Sequence, residues 1–424
     1  MSEVLRRPGM HAALRWALAC TLCLAACAQA APLRVLHWWK SNSERVATDI
    51  IASKVRQAGI DWLDEDAGDG VAAGIILRSR LLAHDLPDVA LANSLTAFEW
   101  WQLGLLSDLD KVAAAGNWSA RLLPSVEKLV KPGAHVVAVP LGVHRLNTMF
   151  YNRAVFERLQ LTPPRNWQEF ESVALKLKRA GVVPLAQSSQ PWQLAILFEN
   201  ILLADGGVEV HNHLFVQGSP GRYTDPDVAA ALRRFRSMKK WMRQPLAEQN
   251  WTDTTRQLAD GSAAMMIVGD WVKAEMNIWG SATDQVFGCT SAPGTAGIHL
   301  YDLDTLAMLD SGRPVRPAQE KVAALAMTAS MQEHYNRVKG SVPVLRQVDL
   351  ASMDSCARAS WSLLARPGAV LVPSMSIGMV GEQDLRDVLI TELHRFFMDD
   401  TISVRDTQRR LASVSRAFTK TRLP

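Results

Sequence analysis

From residue 33 onward the chain alternates between short apolar runs that suit strands and amphipathic stretches that suit helices, and this alternation limits the fold more than any other feature. LRVLHWW reads as a strand, ERVATDIIASKVRQAG as a helix with Val46, Ile50, Ile51 and Val55 on one side, and AAGIILRSRLLAHD as a second helix. PDVALAN then reads as a strand, LTAFEWWQLGLLSDLD as a helix ending near Gly104, and HVVAVP as a strand. Such a succession predicts an α/β fold built on a largely parallel sheet with helices on both faces. Further on, NWQEFESVALKLKRAG and DPDVAAALRRFRSMKKWM are helices that start at Asn166 and at Asp225–Pro226. GSAAMMIVGDW is an apolar run that fits a buried strand, and RPAQEKVAALAMTASMQEH one further helix. At 424 residues the chain exceeds what one core supports, so two lobes are expected. No repeat or flexible linker separates them, so several short crossings should join them.

The first 30 residues read as an address. Arg6, Arg7 and Arg15 precede an apolar run from Trp16 to Cys27, and AQA at Ala28–Ala30 has the small-x-small form of a cleavage site. The run is too short to span a bilayer comfortably. Cleavage after Ala30 and export to the periplasm are expected, the alternative being a lipid anchor on Cys27 in LAAC. Without the leader the formal charge falls from +4 to +2, since three Arg and one Glu go with it. That near balance argues against a nucleic-acid partner. Of the five cysteines only Cys289 and Cys356 remain. In an oxidising compartment they can pair, but sequence separation leaves open whether they meet, and two are too few for a zinc site.

HWWKSNSE, His37–Glu44, places Trp38 and Trp39 at the end of the first strand. In open α/β sheets ligands sit beyond the carboxyl ends of strands. Other segments fall in a telling order: GLLSDLD, VPLGVHRLNTMFYN, PPRNWQEF, QPWQ, GSAAMMIVGDW, YDLDT and KGSVP. Over essentially the whole chain after the leader this series resembles the extracellular solute-binding proteins of ABC importers. It falls in the cluster of the maltose-binding protein and is most similar to the periplasmic glucose and mannose binding proteins.

The resemblance implies a two-lobed periplasmic-binding-protein fold, each lobe a mostly parallel sheet flanked by helices, with a hinge between. It implies a first lobe of residues 31–142 plus 292–335 and a second of 143–291 plus 336–424, with crossings near Val139–Val143, Cys289–Pro293 and His334–Lys339. It also implies a non-enzymatic monomer without a cofactor, which takes a neutral mono- or disaccharide and hands it to inner-membrane ABC permease subunits. The implied contacts are Trp38, Trp39, Glu44, His144, Trp271, Asp304 and Lys339, with Trp192 beside them. Aromatic faces suit the C–H face of a pyranose, and charged groups orient its hydroxyls. Asn93 occupies a ligand position where the family carries a sugar-contacting Lys; Ile377 stands where it has a His, and Lys40 where a small hydroxyl residue is usual. Glucose as the ligand is therefore in question.

Each residue also has a plainer reading: Trp271 as core, His144 as a hinge histidine, Asp304 as a turn cap, Lys339 as an exposed charge. A glycoside hydrolase would use similar tryptophans and carboxylates, but Glu44 and Asp304 stand in no recognisable acid or nucleophile motif. A sensor subunit presenting sugar to a receptor would use the same pocket. GDGVAAG, residues 68–74, is not a phosphate fingerprint, and HNH at His211–His213 has too few placed ligands for a metal.

Overall fold

The structure, a computed structural model, describes residues 31–68 and 70–421. The expected leader, with Cys27, lies outside the described residues. Among the described residues ten strands form two sheets. The first holds β1 (Leu33–His37), β2 (Trp62–Asp66), β3 (Val89–Asn93), β4 (Val139–Arg145), β9 (Ile298–Met308) and β10 (Val370–Pro373). Its order is β10-β9-β3-β1-β2, with β4 also paired to β9. β1 is parallel to β2 and β3, whereas β9 runs antiparallel to β3 and β4. The second sheet holds β5 (Thr148–Asn152), β6 (Val183–Leu185), β7 (Ala263–Val268) and β8 (Phe287–Ser291), in the order β6-β7-β5-β8. It is not mostly parallel, because β5 runs against both of its neighbours.

Apolar patterning explains why these segments pair. β7 is buried along its whole length, as the continuous run AAMMIV requires. Leu33 and Val35 alternate into the first core with Ile51 and Val55 of α1 (Asn42–Gln57). Phe170, Phe198, Phe235 and Phe397 centre the second core, which takes in α3 (Pro191–His211), α7 (Gln383–Met398) and α8 (Val404–Thr421). A third cluster, with Leu146, Phe150, Val268, Leu300 and Val372, draws on strands and crossings of both sheets. HVVAVP enters the ladder only at Val139, and the expected single helix from Arg316 is two helices broken at Thr328, whose side chain caps α5 (Ala329–Lys339).

The chain passes between sheets at Leu146–Asn147 and again between β8 and β9. The third passage expected near His334–Lys339 is elsewhere. β10 pairs in parallel with β9, so residues 336–424 do not go whole to one side; the chain leaves the first sheet after Pro373 and enters α7. Glu199 of α3 secures that passage by accepting hydrogen bonds from Met375 N–H, Ser376 N–H, the hydroxyls of Ser374 and Ser376, and His211 Nε2. His211, the first histidine of HNH, is thus a buried structural partner. Cys289 of β8 is bonded to Cys356 of α6 (Ser355–Ala365), with Cα atoms 5.9 Å apart.

Candidate functional site

Glu44 shows how local structure builds the site. Ser41 caps α1 by accepting from Glu44 N–H, and Glu44 Oε2 accepts in return from Ser41 and Lys40 N–H at 3.1 Å each. The capping box leaves Glu44 Oε1 facing Lys339 Nζ at 3.6 Å. Lys339 ends α5, where Gly340 takes a left-handed C-cap (φ 91°). A Cβ on Gly340 would stand 2.6 Å from the Asp270 carbonyl, so glycine permits the close approach of α5 to α4 (Trp271–Ile278).

Lys339 is only 3 % exposed, and its ammonium lies 3.8 Å from Asp304 Oδ2 and 5.4 Å from the Trp39 ring centroid. A buried ammonium requires such partners. Trp39 itself is buried, packed against Tyr335 at 6.0 Å between ring centroids. Trp38 is half-buried between two apolar clusters. Asp304 sits on β9 opposite Asn93 of β3 and Gly142 of β4.

His144 of β4 joins the two sheets' contributions. Its Nδ1–H donates to Asp270, which follows β7, and its Nε2–H to Asp304 at 3.2 Å. Burial and then the Lys339 ammonium press its pKa down, but Asp270 and Asp304 outweigh them and hold it at about 9. Asp302, facing the same way as Asp304 on β9, is pushed up to about 7 by burial and then by the Asp304 charge. Asp304 is held below its ordinary value, against burial, by Lys339 and then His144. Trp271 packs edge-on to His144 at 5.5 Å, and Trp192 stands 6.1 Å beyond it. Gly269 makes room for that arrangement, since a Cβ there would fall 2.1 Å from the Trp271 ring.

Trp39, Glu44, His144, Trp271, Asp304 and Lys339 therefore come together, with Trp192 at the edge and Trp38 alongside. Asn93 does not offer its side chain to them. Its Oδ1 caps α2 (Ser94–Gln102) by accepting from Thr96 N–H, and its Nδ2 donates to the Ile377 and Gly378 carbonyls at 3.0 Å. Lys40 is exposed and pairs with Asp66 at 3.0 Å. Sequence reasoning missed Asp270, Asp302, Tyr335 and Glu275. The first two carry a signal: Asp270 stands between a buried strand and Trp271, and Asp302 is two residues from Asp304, on one face of a strand. Glu275 of α4 carries none. Its buried carboxylate accepts from Asn42 N–H, Ser43 N–H and Ser43 Oγ–H, tying α4 to the start of α1.

The model of one family, described as bacterial extracellular solute-binding protein, matches residues 58–301. A probable sugar-binding periplasmic protein of Rhizobium meliloti (strain 1021) is 27% identical over 406 residues, covering 95% of this chain and 98% of that one. The xylose/arabinose-binding protein XacG of Haloferax volcanii is 25% identical over 336 residues, 75% of this chain and 70% of its own. Among solved structures, the bacterial solute receptor AcbH, described as having an exclusive preference for β-D-galactopyranose, superposes with a TM-score of 0.78 at 18% identity, over 92% of this chain and 98% of that one. A chitin oligosaccharide binding protein gives the same TM-score at 17% identity, over 92% and 99%.

Proposed function

The chain belongs to the family of bacterial extracellular solute-binding proteins, and from that premise we propose that it captures a neutral mono- or disaccharide between its sheets and delivers it to inner-membrane ABC permease subunits. One arrangement carries this reading: Lys339 lies within ion-pairing or hydrogen-bonding reach of Glu44, Asp304 and His144, and His144 of Asp304, beside the rings of Trp39 and Trp271. The aromatic faces suit the C–H face of a pyranose, and the charged groups make stronger hydrogen bonds to hydroxyls than neutral ones would. Acidic and basic groups alternate, so no excess of positive charge awaits a phosphate or a dianion. The names of the relatives support a sugar.

Glucose is disfavoured. The two positions where a glucose-type site would carry extra donors, Asn93 and Ile377, are in contact here and bonded to each other's segments. A hydroxyl left without its donor costs about 1–3 kcal/mol. In this reading one lobe is built on β1–β4, β9 and β10 and the other on β5–β8, α3, α7 and α8; the leader is cleaved after Ala30 and the protein works as a periplasmic monomer. No bond of the ligand is broken, so the sugar is recovered unchanged.

A thermal-shift screen across hexoses, pentoses, disaccharides, sugar acids and amino acids tests the ligand class. Stabilisation by amino acids or phosphate alone would refute it. Calorimetry on Trp39→Ala and Trp38→Ala should show a loss of ~1–3 kcal/mol in sugar affinity. Wild-type affinity in both would reduce the two rings to packing.

A further inference from the structure

YDLDT places Asp302 two residues before Asp304, so both carboxyls leave β9 on one face. On that face Asp302 stands opposite His144 in the β4 ladder, with Asp304 to one side of it along the strand and Leu300 to the other. Leu300 belongs to the apolar cluster against which Trp192, Trp271 and Ile377 pack. Asp302 therefore lies where the tryptophan wall meets the polar group around Lys339. It is only 5 % exposed, and its Oδ1 is buried without a hydrogen-bond partner among the described residues. A buried polar atom left so is costly until something meets it.

The charges around it are already matched. Lys339 answers Glu44 and Asp304, His144 bridges Asp304 and Asp270, and Arg145 sets a further positive charge near Asp270. Three carboxylates thus meet three cations, and Asp302 is a fourth acid without one. Lys273 is spent on Asp354, and Glu275 on the first turn of α1. Burial and the Asp304 charge favour the neutral form of Asp302, against the positive charges of His144 and Lys339 and the Leu303 N–H, and the balance leaves it neutral up to about pH 7. Tyr301, its neighbour on β9, is pushed up to about 12 by burial and then by Asp302. β10 and the residues after it, 370–378, bring no ionisable side chain.

We infer that Asp302 is a further specificity-determining residue of this site, acting as a neutral acid whose O–H donates to an oxygen of the bound sugar, so that binding takes up a proton wherever the carboxyl is ionised beforehand. The inference rests on the sugar-binding reading above. Glu44 and Asp304, as carboxylates, only accept, whereas a neutral Asp302 adds a donor for a ring, glycosidic or hydroxyl oxygen. An ionised Asp302 would accept from a hydroxyl instead, but shutting water out around a fourth, unmatched negative charge costs more than that bond returns.

The experiment uses the full mature chain and takes its sugar from the thermal-shift screen above, run at pH 6 with D-galactose, D-xylose and L-arabinose among its members. The most stabilising sugar goes into calorimetry at pH 6, 7 and 8, in two buffers of unlike ionisation heat. Affinity should fall about tenfold from pH 6 to pH 8, and proton uptake should climb from near zero to about one per sugar. His144, held at about 9, stays charged over this range. Asp302→Ala should weaken binding at pH 6 by about tenfold. Asp302→Asn, which keeps an N–H donor in place, should recover most of that loss and bind equally across the range without proton uptake. The wild-type proton count needs neither variant, so the test survives if one does not fold. Binding that stays level or tightens as pH rises, or wild-type affinity in Asp302→Ala at pH 6, would overturn the role given to Asp302 and leave the sugar reading standing. Stabilisation by no sugar at pH 6 would overturn both.

Discussion

Lys339 is the residue on which the polar cluster depends. Its ammonium answers both Glu44 and Asp304, so Lys339→Met would leave two carboxylates in a largely dry site, at a cost of about 3–5 kcal/mol. Chemical denaturation should show that loss together with abolished sugar binding; a variant of wild-type stability would mean the carboxylates find water. The pH dependence follows from the same cluster. His144 has a pKa near 9 in the fold against an ordinary 6.5, so its contribution is complete below pH 6.5 and is lost as pH rises through 9. Asp302, near 7 against an ordinary 3.8, has the same sign: its contribution is complete below 3.8 and lost as pH rises through 7. Asp304 and Glu199 are held low, against burial, by Lys339 and by His211, so their contributions are lost only as the medium becomes strongly acidic. Stability should therefore be greatest near pH 4 and fall from there to about pH 9, with His144 accounting for about 3 kcal/mol of the fall above pH 6.5. Calorimetric melting across that range checks it, and Asp302→Asn should remove the part of the decline that lies between about pH 4 and pH 7. The sequence exposed His144, Asp304 and Lys339 only through their place in a recognisable series of segments. Asn93 was legible in a different sense: an asparagine at a strand-to-helix junction is an N-cap by preference, and a cap spends its side chain on its own helix.

Among elements, the contact of α4 with α1 ties the two sheets' layers across the site, beside the His144–Asp270 bond and the approach of α5 to α4. Glu275 brings a carboxylate to the first turn of α1, where backbone N–H groups lack helical partners and the helix dipole favours negative charge. Glu275→Gln keeps the shape and removes the charge, so it should weaken sugar affinity by about 1–2 kcal/mol, the scale of a charge-assisted bond at a partly buried helix start. Unliganded melting should change less than affinity does; if melting alone changes, Glu275 is packing and not closure. Nothing in WVKAEMNI marks this role, because a glutamate on a short helix is read as solvated until its partner is known. The strands were legible where four or five apolar residues sit between turn residues, as in β1, β3 and β7. Pair direction was not, since period-two patterning is the same in parallel and antiparallel ladders. Nor was β10, four residues whose partner β9 lies far back in the chain. Thr328 shows a third limit: between good helix formers a capping threonine looks like helix interior.

At the scale of the molecule, the Cys289–Cys356 bond constrains how two lobes can move. Cys289 belongs to β8 of the second sheet, while Ala357 and Leu364 of α6 pack into the first core. A covalent link between two bodies permits rotation only about an axis that passes close to it. Arg145 and Thr148, which flank the first crossing, and Lys273, which pairs with Asp354, line the same cavity as that bond, so the bond restrains any opening that would part β8 from α6. The loop closed spans 67 residues, for which the chain-entropy account gives about 4 kcal/mol of stabilisation. In a chain of this size that is roughly 5 °C in melting temperature. The double variant Cys289→Ser, Cys356→Ser should lose about that much while its sugar affinity stays within a few-fold of wild type, because Lys339, Asp304 and Trp39 lie across Asp270 from the bond. Small-angle scattering separates the two roles the bond can have. A hinge restraint predicts a larger and broader radius of gyration in the sugar-free variant that returns to the wild-type value on saturation, whereas a purely local staple predicts identical scattering with only the melting temperature lowered.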